Sequence, residues 1–354
     1  MAINKFVMAA LKALSYPDID IKRNYKWGRQ VTNVTHYHYL KPFYKTWDHK
    51  VPCGDHDVPV RIFSPPGEGH HSLLLFFHGG GWVLGNIDSY DKVCANMARL
   101  TNRLVVSVDY RLAPEHKFPA APEDCYAVTR EIYLNTGLLE TSAEDITLIG
   151  DSAGANLAAV VSLMARDRGE FLPKKQILIY PATYNDHTER SFFDSVRENG
   201  TDYLLTSKRI CDYMDLYMSC PEDLRNPYFA PLLAKSLADQ PDTLVITAEY
   251  DPLRDEGEEY ARKLEKFGNR VELHRIADGR AEALEFIVNK QSKYIGEPLK
   301  NLRLRLKKNI LISCITHHGN TVIPDGESYY QLGDTVIVVT TREQPVLQFN
   351  DIFV

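Results

Sequence analysis

A serine stands between two glycines in the stretch Gly-Asp-Ser-Ala-Gly, residues 150–154. An apolar run, Ile146–Ile149, precedes this stretch, and a helical pattern, Asn156–Arg166, follows it. The glycines permit a sharp turn from a strand into a helix, which lifts the Ser152 hydroxyl above the sheet, and the start of the helix offers backbone N–H donors. The pattern predicts that Ser152 is a nucleophile.

A glycine-rich loop, His-Gly-Gly-Gly at residues 78–81, directly follows another apolar run. Glycines let backbone amides approach an oxygen that becomes negative in a tetrahedral intermediate, and the loss of one such donor typically costs about 10²- to 10³-fold in rate. The sequence predicts that the N–H groups of Gly80, Gly81 and Ala153 form an oxyanion hole. We expect His78 to hold the loop in place rather than to act as a base.

An acidic residue, Asp251, follows the apolar run Leu244–Thr247. In proteins whose catalytic groups occur in the order Ser, Asp, His, the acid comes from such a turn and orients the histidine. Asp255 is the competing carboxylate, and we expect it to cap the helix that begins near Glu256. Asp251 is therefore the predicted triad acid.

Apolar runs alternate with helical patterns along most of the chain, which predicts a mainly parallel sheet with helices on both faces. Residues 1 to about 50 and 184–232 stand outside this alternation and are expected to cover the ends of the strands. After Asp278, short strands and turns predict a small β-rich module. A length of 354 residues fits one large domain and one small one.

Composition and residue spacing exclude several classes of partner. The net charge of −6 gives no basic excess for nucleic acid. The six cysteines form no CxxC pair, which indicates a reduced, cytoplasmic protein without disulfides. The apolar residues near the N-terminus recur at helical spacing, and no run reaches the ~18 to 20 apolar residues of a membrane helix. The histidines at 36–38 and 317–318 have no partners at ligand spacing, so no metal is expected.

Five motifs together resemble those of the hormone-sensitive-lipase-like carboxylesterases: HGGGW, DYRLAPEHKFPAA, GDSAGAN, NPYFAPLLA and YDPLRDEGEEYARKL. The resemblance covers about residues 30–275. It implies an α/β-hydrolase fold with a helical cap, formed by about residues 1–50 and 184–232. It also implies that Ser152 is the nucleophile, that Asp251 is the triad acid, and that small acyl esters are hydrolysed without a metal or organic cofactor.

The histidine that completes such a triad is absent from its expected place. The register of the resemblance puts it near Ala281, where residues 280–283 read Arg-Ala-Glu-Ala, and no histidine occurs between His274 and His317. Three explanations are open. His274 or His317 could substitute as the base, the hydrolase domain could persist as a ligand-binding protein without its base, or two coding sequences could have been joined by accident.

The last part of the chain resembles a different family, the C-terminal (RCK) module of TrkA-type potassium-uptake proteins. The residues that carry this resemblance are DGRAEALEFIV, IGEPLKNL and the stretch from KKNILISC to LGDTVIVVT. It implies a small α+β module that senses a ligand, such as a cyclic dinucleotide, and forms a homodimer. We therefore predict a hydrolase domain at 1–276 and this module at 277–354. The function is that of a serine carboxylesterase, impaired by the missing base, or alternatively that of a regulator of potassium uptake.

Overall fold

The computed structural model describes residues 21–34, 45–66, 70–276, 282–302, 305–307, 310–317, 320–322, 324, 326–340, 346 and 348–353. The predicted N-terminal helix and residue Ala281 lie outside this set. The chain divides between His274 and Arg275 into two compact units, here called the N-terminal unit and the C-terminal unit. No helix in the described ranges has the length and apolar character needed to cross a membrane.

The main sheet has eight strands in the order β1-β2-β4-β3-β5-β6-β7-β8. β1 and β2 pair antiparallel, β2 and β4 pair antiparallel, and the pairs from β4 through β3, β5 and β6 to β7 are parallel. The mainly parallel sheet predicted from the sequence is therefore confirmed. The strands are β1 (Lys45–Cys53), β2 (His56–Ser64), β3 (Leu73–Phe77), β4 (Leu104–Val108), β5 (Ile146–Asp151), β6 (Lys175–Ile179), β7 (Asp242–Ala248) and β8 (Val271–Ile276).

Burial explains why the central strands form where the apolar runs stand. All five residues of β3 are buried, and five of the six residues of β5 are buried. These strands are covered on both faces, so their sequences lack the alternation of a half-exposed strand. β1 behaves differently, because it is an edge strand with exposed polar residues. Residues 45–50 thus belong to the sheet, whereas the sequence assigned them to the cap.

Helices pack against both faces of this sheet. α4 is the most deeply placed, since all of its residues from Ala153 to Ala165 are buried. α2 covers the opposite face through Cys94, Ala95 and Ala98. The helices are α1 (Ile21–Val34), α2 (Asp91–Thr101), α3 (Ala120–Leu134), α4 (Ala153–Arg168), α5 (Asp194–Asn199), α6 (Ser207–Tyr217) and α7 (Arg254–Lys266), with short 3-10 helices at Thr136–Leu139, Ala143–Asp145, Pro221–Arg225 and Pro231–Leu233.

The stretch predicted to cover the strand ends, residues 184–232, contains α5 and α6. α1 joins this part of the unit, because Lys22 Nζ lies 2.5 Å from Asp215 Oδ2 on α6. Arg29, also on α1, donates from Nε to the carbonyl of Val83 at 2.7 Å and from Nη2 to that of Ala113 at 2.7 Å. The first described helix is thereby tied both to α6 and to the loops that follow β3 and β4.

The C-terminal unit contains a separate four-stranded antiparallel sheet in the order β11-β10-β12-β9. Its core includes Leu302, Tyr330, Val336 and Ile352, all fully buried. The Tyr330 hydroxyl donates to the carbonyl of Lys293 at 2.8 Å. The elements are β9 (Glu282–Ile287), α8 (Leu299–Leu302), β10 (Ile310–His317), β11 (Asn320–Val322), β12 (Thr335–Thr340) and a 3-10 helix at Phe349–Ile352.

Candidate active site

Ser152 lies at the sharp turn between β5 and α4. Its backbone has φ 54° and ψ −117°, a conformation that residues with a side chain rarely adopt. The turn is compact because Gly154 presses against the end of β3, where a Cβ atom would lie only 2.0 Å from the Phe77 carbonyl oxygen. The Ser152 N–H donates to the carbonyl of Ile179 on β6 at 2.9 Å. The Gly-x-Ser-x-Gly spacing thus produces the strand-turn-helix geometry that the sequence predicted.

Asp151 connects this turn to the glycine loop. Its Oδ1 accepts the Gly79 N–H at 2.9 Å, and its Oδ2 accepts the Tyr90 hydroxyl at 2.8 Å. Burial raises the pKa of the Asp151 carboxyl, although both hydrogen bonds act in the opposite direction. The residue beside the serine therefore fixes the loop that faces it. Sequence reasoning missed this role, because the residues involved are far apart along the chain.

The glycine loop and the start of α4 together offer three backbone donors. The Gly79 N–H is occupied by Asp151, but within the described ranges the N–H groups of Gly80, Gly81 and Ala153 donate to no protein atom. Gly81 has φ 62°, and a Cβ atom there would lie 2.4 Å from the Tyr213 ring. Tyr213 on α6 therefore packs so closely on the loop that only glycine fits. Donors with no internal acceptor remain available to a substrate oxygen.

His78 supports the loop from inside the protein. Its ring is fully buried and stacks on Tyr110, with ring centroids 4.3 Å apart. Nδ1 lies 2.8 Å from the Gly79 carbonyl oxygen, and the Tyr110 hydroxyl donates to the His78 carbonyl at 2.6 Å. Burial lowers the pKa of the imidazole to about 4, so His78 is neutral near pH 7. These contacts agree with the supporting role expected for this residue.

Asp251 occupies the turn between β7 and α7. Its Oδ1 accepts the Leu253 N–H at 2.9 Å, and the Asn199 amide donates to its backbone carbonyl at 3.2 Å. Burial raises the pKa of Asp251 to about 6, and the neighbouring Glu256 charge acts in the same direction, whereas the Leu253 N–H and the charges of His187 and Arg254 lower the pKa. The carboxyl group therefore has one hydrogen-bond donor and a stabilised neutral form.

Ser152 and Asp251 line the same cavity, which has a volume of about 450 Å³. The other walls are mostly aromatic and aliphatic. Tyr203 and Tyr250 stack on each other there, with ring centroids 5.5 Å apart. The remaining lining residues are Tyr180, Leu204, Leu205, Ala248, Pro252 and Leu253. A small uncharged group fits these walls.

Each of the two candidate bases is paired with a carboxylate of its own surroundings. His274 is exposed on β8, and its Nε2 lies 2.5 Å from Glu272 Oε1. His317 belongs to the C-terminal unit, where its Nδ1 lies 2.6 Å from Asp334 Oδ1. Among the described residues of the N-terminal unit, no imidazole forms a hydrogen bond with Ser152 Oγ or with the Asp251 carboxyl.

A buried histidine and glutamate lie next to this site and were not foreseen. His187 Nε2 is 2.5 Å from Glu256 Oε2, and both side chains are almost completely buried. Glu256 Oε1 also accepts the N–H groups of Thr183 and Tyr184, at 2.6 and 3.1 Å. The pair joins the segment after β6 to the first turn of α7. It thereby holds the helix that follows Asp251.

The role predicted for Asp255 was wrong. α7 begins at Arg254, so Asp255 lies inside the first turn rather than at the cap position. Its Oδ2 accepts the Ser195 N–H at 2.8 Å, and its Oδ1 accepts from Arg254 Nε at 2.8 Å. The carboxylate satisfies a backbone donor of α5, a neighbour that sequence spacing does not reveal.

The chain matches known proteins over most of the N-terminal unit. A family described as having the alpha/beta hydrolase fold matches residues 74–280, more than half of the chain. An arylesterase from Saccharolobus solfataricus is 39% identical over 228 residues, covering 64% of this chain and 73% of that protein. An ethyl acetate hydrolase from Pseudomonas putida is 36% identical over 222 residues, covering 62% of this chain and 69% of that protein.

Solved structures agree with the sequence matches. A hyperthermophilic esterase from the archaeon Pyrobaculum calidifontis superimposes with a TM-score of 0.68 at 37% identity, covering 78% of this chain and 89% of that one. A solved arylesterase superimposes with a TM-score of 0.68 at 34% identity, covering 78% of this chain and 90% of that one. The chain belongs to the α/β-hydrolase fold family, and its class is that of the carboxylic ester hydrolases.

Proposed function

We propose that the N-terminal unit is a serine hydrolase for small acyl esters. Ser152 attacks the ester carbonyl carbon, and the N–H groups of Gly80, Gly81 and Ala153 stabilise the oxyanion that forms. Asp251 is the triad acid. The observation that supports this assignment best is the Ser152 hydroxyl on a strained turn, in the same cavity as the Asp251 carboxyl.

The cavity supports the substrate class. Among the residues that the structure describes, its walls are apolar apart from Ser152, Asp251 and the tyrosine hydroxyls, and they include no lysine or arginine. A charged acyl or alcohol group would lose its hydration there without gaining an ion pair. A volume of about 450 Å³ falls in the range of small-molecule sites. Short, uncharged esters are therefore the proposed substrates.

We further propose that turnover is impaired because the triad lacks its base. Burial raises the pKa of the Asp251 carboxyl to about 6, although the charges of His187 and Arg254 lower it. A base hydrogen-bonded to this carboxylate, as in a complete triad, would lower the pKa further. Loss of the histidine from a serine protease triad costs about 10⁶-fold in kcat, and the remaining groups still give roughly 10³- to 10⁴-fold over water. We expect a small residual rate that depends on Ser152.

The test is hydrolysis of p-nitrophenyl acetate by the full chain and by Ser152→Ala, each with and without added imidazole. We expect slow turnover by the wild type, a further fall in Ser152→Ala, and stimulation by imidazole that exceeds its background reaction only when Ser152 is present. Equal rates for both proteins would overturn the assignment of Ser152. Turnover near the usual enzymatic 1–10³ s⁻¹, abolished by Ser152→Ala, would support the hydrolase and refute the impairment.

For residues 277–354 we propose a ligand-sensing module of the RCK C-terminal type, which would make the chain a regulator linked to potassium uptake. Its sequence motifs support this proposal, and so does a hydrophobic core that belongs to the C-terminal unit alone. Cyclic di-AMP at 100 times its Kd should stabilise the chain by ~2.7 kcal/mol, measurable as a rise in Tm. Sedimentation would test the proposed homodimer, and an unchanged Tm at saturating nucleotide would contradict this ligand.

The proposed location is the cytoplasm. The five cysteines whose surroundings are described, Cys53, Cys94, Cys125, Cys211 and Cys220, are all free thiols, which fits a reducing compartment. Thiol titration of the unfolded chain checks this point, because six reactive thiols are expected from the six cysteines of the sequence.

A further inference from the structure

The hairpin of β1 and β2 brings a thiol and an imidazole together on one side of a two-residue turn. Cys53 and His56 are directly opposite each other across the turn formed by Gly54 and Asp55. Residues in such a cross-strand pair place their side chains on the same face. The Asp124 side chain, fully buried on α3, lies 2.8 Å from His56 through its Oδ1.

We infer that Cys53, His56 and Asp124 form a binding site for a divalent transition metal, with zinc as the expected ion. Their donor atoms (Sγ, a ring nitrogen and a carboxylate oxygen) all lie within 4.8 Å of one another. In a tetrahedral zinc site, ligand bonds of about 2.0–2.3 Å place the donor atoms roughly 3.3–3.6 Å apart. Side-chain movements on the order of 1 Å would bring the three donor atoms from their present separations to those of a tetrahedral zinc site. Three protein ligands leave the fourth position to water.

The second ring nitrogen of His56 is already oriented for this role. His56 Nδ1 lies 3.0 Å from Asp55 Oδ1, within the same turn. Histidines that ligate metals commonly donate their other ring N–H to a carboxylate, which fixes the ring and makes the ligating nitrogen more basic. The metal would take the place of the proton that Nε2 shares with Asp124. The side chain of Asp55 is 97% exposed, so its contribution should be modest.

Arg111 shares the Asp124 carboxylate and must be included in the charge balance. Its backbone N–H donates to Oδ2 at 2.9 Å, its Nη2 donates to Oδ1 at 2.8 Å, and its Nε lies within hydrogen-bond distance of both oxygens. The Cys53 thiolate and the carboxylates of Asp55 and Asp124 together carry three negative charges. Arg111 and a dication together neutralise them, so the arginine can hold Asp124 while the metal binds the remaining lone pair.

The donor set favours zinc or cobalt over magnesium or calcium. A thiolate and an imidazole are softer ligands than the all-oxygen shells that the alkaline-earth ions prefer. Residue spacing does not reveal this site, because Asp124 stands 68 residues after His56. The site is independent of the proposed esterase chemistry, since none of its ligands lines the Ser152 cavity.

The test is titration of the metal-stripped full chain with Co²⁺, followed by displacement with Zn²⁺. We expect one equivalent of Co²⁺ to produce a thiolate-to-cobalt charge-transfer band in the near ultraviolet. Cys53→Ser should abolish this band, whereas Cys220→Ser, which removes an exposed thiol outside the cluster, should leave it unchanged. Asp55→Ala should weaken Co²⁺ binding about 10-fold, because it removes the acceptor of the Nδ1–H.

Two results would overturn the site: no charge-transfer band in the wild type, or an undiminished band in Cys53→Ser. Circular dichroism should show that each variant is folded. His56→Gln provides a second variant whose loss of the band does not depend on changing the thiol. Mg²⁺ at equal concentration should not displace Co²⁺, and displacement by Mg²⁺ would refute the proposed donor set.

Discussion

The nucleophile turn, residues 150–154, and the acid turn, residues 248–253, are held in place to different degrees. At the nucleophile turn, the Asp151 carboxyl has two donors from other parts of the unit, and Gly154 has no room for a methyl group. At the acid turn, the Asp251 carboxyl has one donor, the N–H of Leu253 two residues further on. At the first turn, distant residues hold the carboxyl itself. At the second, Asn199 and Ser195 on α5 hold the backbone, through the carbonyls of residues 249, 251 and 252, whereas the donor to the carboxyl is local.

This difference shows which parts of a hydrolase site the sheet alone can build. The nucleophile and the glycine loop lie at the ends of adjacent buried strands, so packing of the core positions them. The acid lies at the end of β7, where burial raises the pKa of its carboxyl more than the charges of His187 and Arg254 lower it. A chain can therefore keep the geometry of Ser152 while the pKa of Asp251 rises to about 6.

The largest effect should come from Gly154→Ala at the nucleophile turn. The new Cβ atom would lie 2.0 Å from the Phe77 carbonyl oxygen, a backbone atom that cannot move freely. We expect the free energy of unfolding to fall by about 3–5 kcal/mol, measured by urea denaturation. Gly137→Ala is the control, because no atom lies within 4 Å of its Cβ position. Similar losses in both variants would show that the turn is not tightly packed.

Asp151→Ala should have the next largest effect. It leaves the Gly79 N–H and the Tyr90 hydroxyl without their acceptor in a part-buried site. We expect a loss of about 3 kcal/mol in the free energy of unfolding, and about 1 kcal/mol for Tyr90→Phe, which removes one of the two bonds. Replacing the exposed Asp57 with alanine should change nothing measurable. A loss in Asp151→Ala no greater than in Tyr90→Phe would contradict the link to the glycine loop.

The acid turn should make the free energy of unfolding depend on pH. The pKa of Asp251 in the folded chain, about 6, lies above its usual 3.8, so the folded state favours the protonated form. Its contribution to stability is therefore present below about pH 4 and is lost as the pH rises through 6. Between pH 4 and 7.5, we expect the wild type to lose about 2 kcal/mol relative to Asp251→Asn, measured by denaturation at both pH values.

Asp255 supplies the matched control for this pH dependence. Although burial opposes the effect, hydrogen bonds from Arg254 and Ser195 lower the pKa of Asp255 below its usual value. Its contribution is present at neutral pH and is lost as the pH falls through the lowered pKa, so Asp255→Asn should change the pH dependence in the opposite direction. A difference between wild type and Asp251→Asn that does not vary with pH would indicate a partner that keeps Asp251 ionised.

The smallest effect should come from His274→Ala. The imidazole is exposed on β8 and contacts Glu272, an arrangement that contributes little. We expect less than about 0.5 kcal/mol in stability and no change in p-nitrophenyl acetate turnover. A clear fall in turnover would identify His274 as a working base and would remove the contrast between the two turns.

The sequence predicted the buried strands better than the edge of the sheet. β3 and β4 have the bounds Leu73–Phe77 and Leu104–Val108 that their apolar runs indicate, because strands covered on both faces are nearly all apolar; Ser107 in β4 is the exception. β1 was missed, because its sequence, KTWDHKVPC, alternates and contains a proline, as an edge strand can.

The site also contains some features that the sequence predicted and others that it did not. The positions of Ser152 and Asp251 follow from local patterns of strand, turn and helix. The bonds from Asp151 to Gly79 and from His187 to Glu256 join residues 72 and 69 positions apart. Neither spacing nor periodicity encodes such contacts, since they arise only when separate elements pack together. The same reason explains the wrong role given to Asp255.

The backbone of Ser152 bears on whether its hydroxyl is in use. A φ of 54° with a ψ of −117° suits glycine far better than serine, and holding an ordinary residue there costs on the order of 1–3 kcal/mol. A glycine would relieve this strain, and it would also remove the hydroxyl. The conformational cost of the turn is therefore tied to the presence of an oxygen at the mouth of the cavity that Ser152 shares with Asp251.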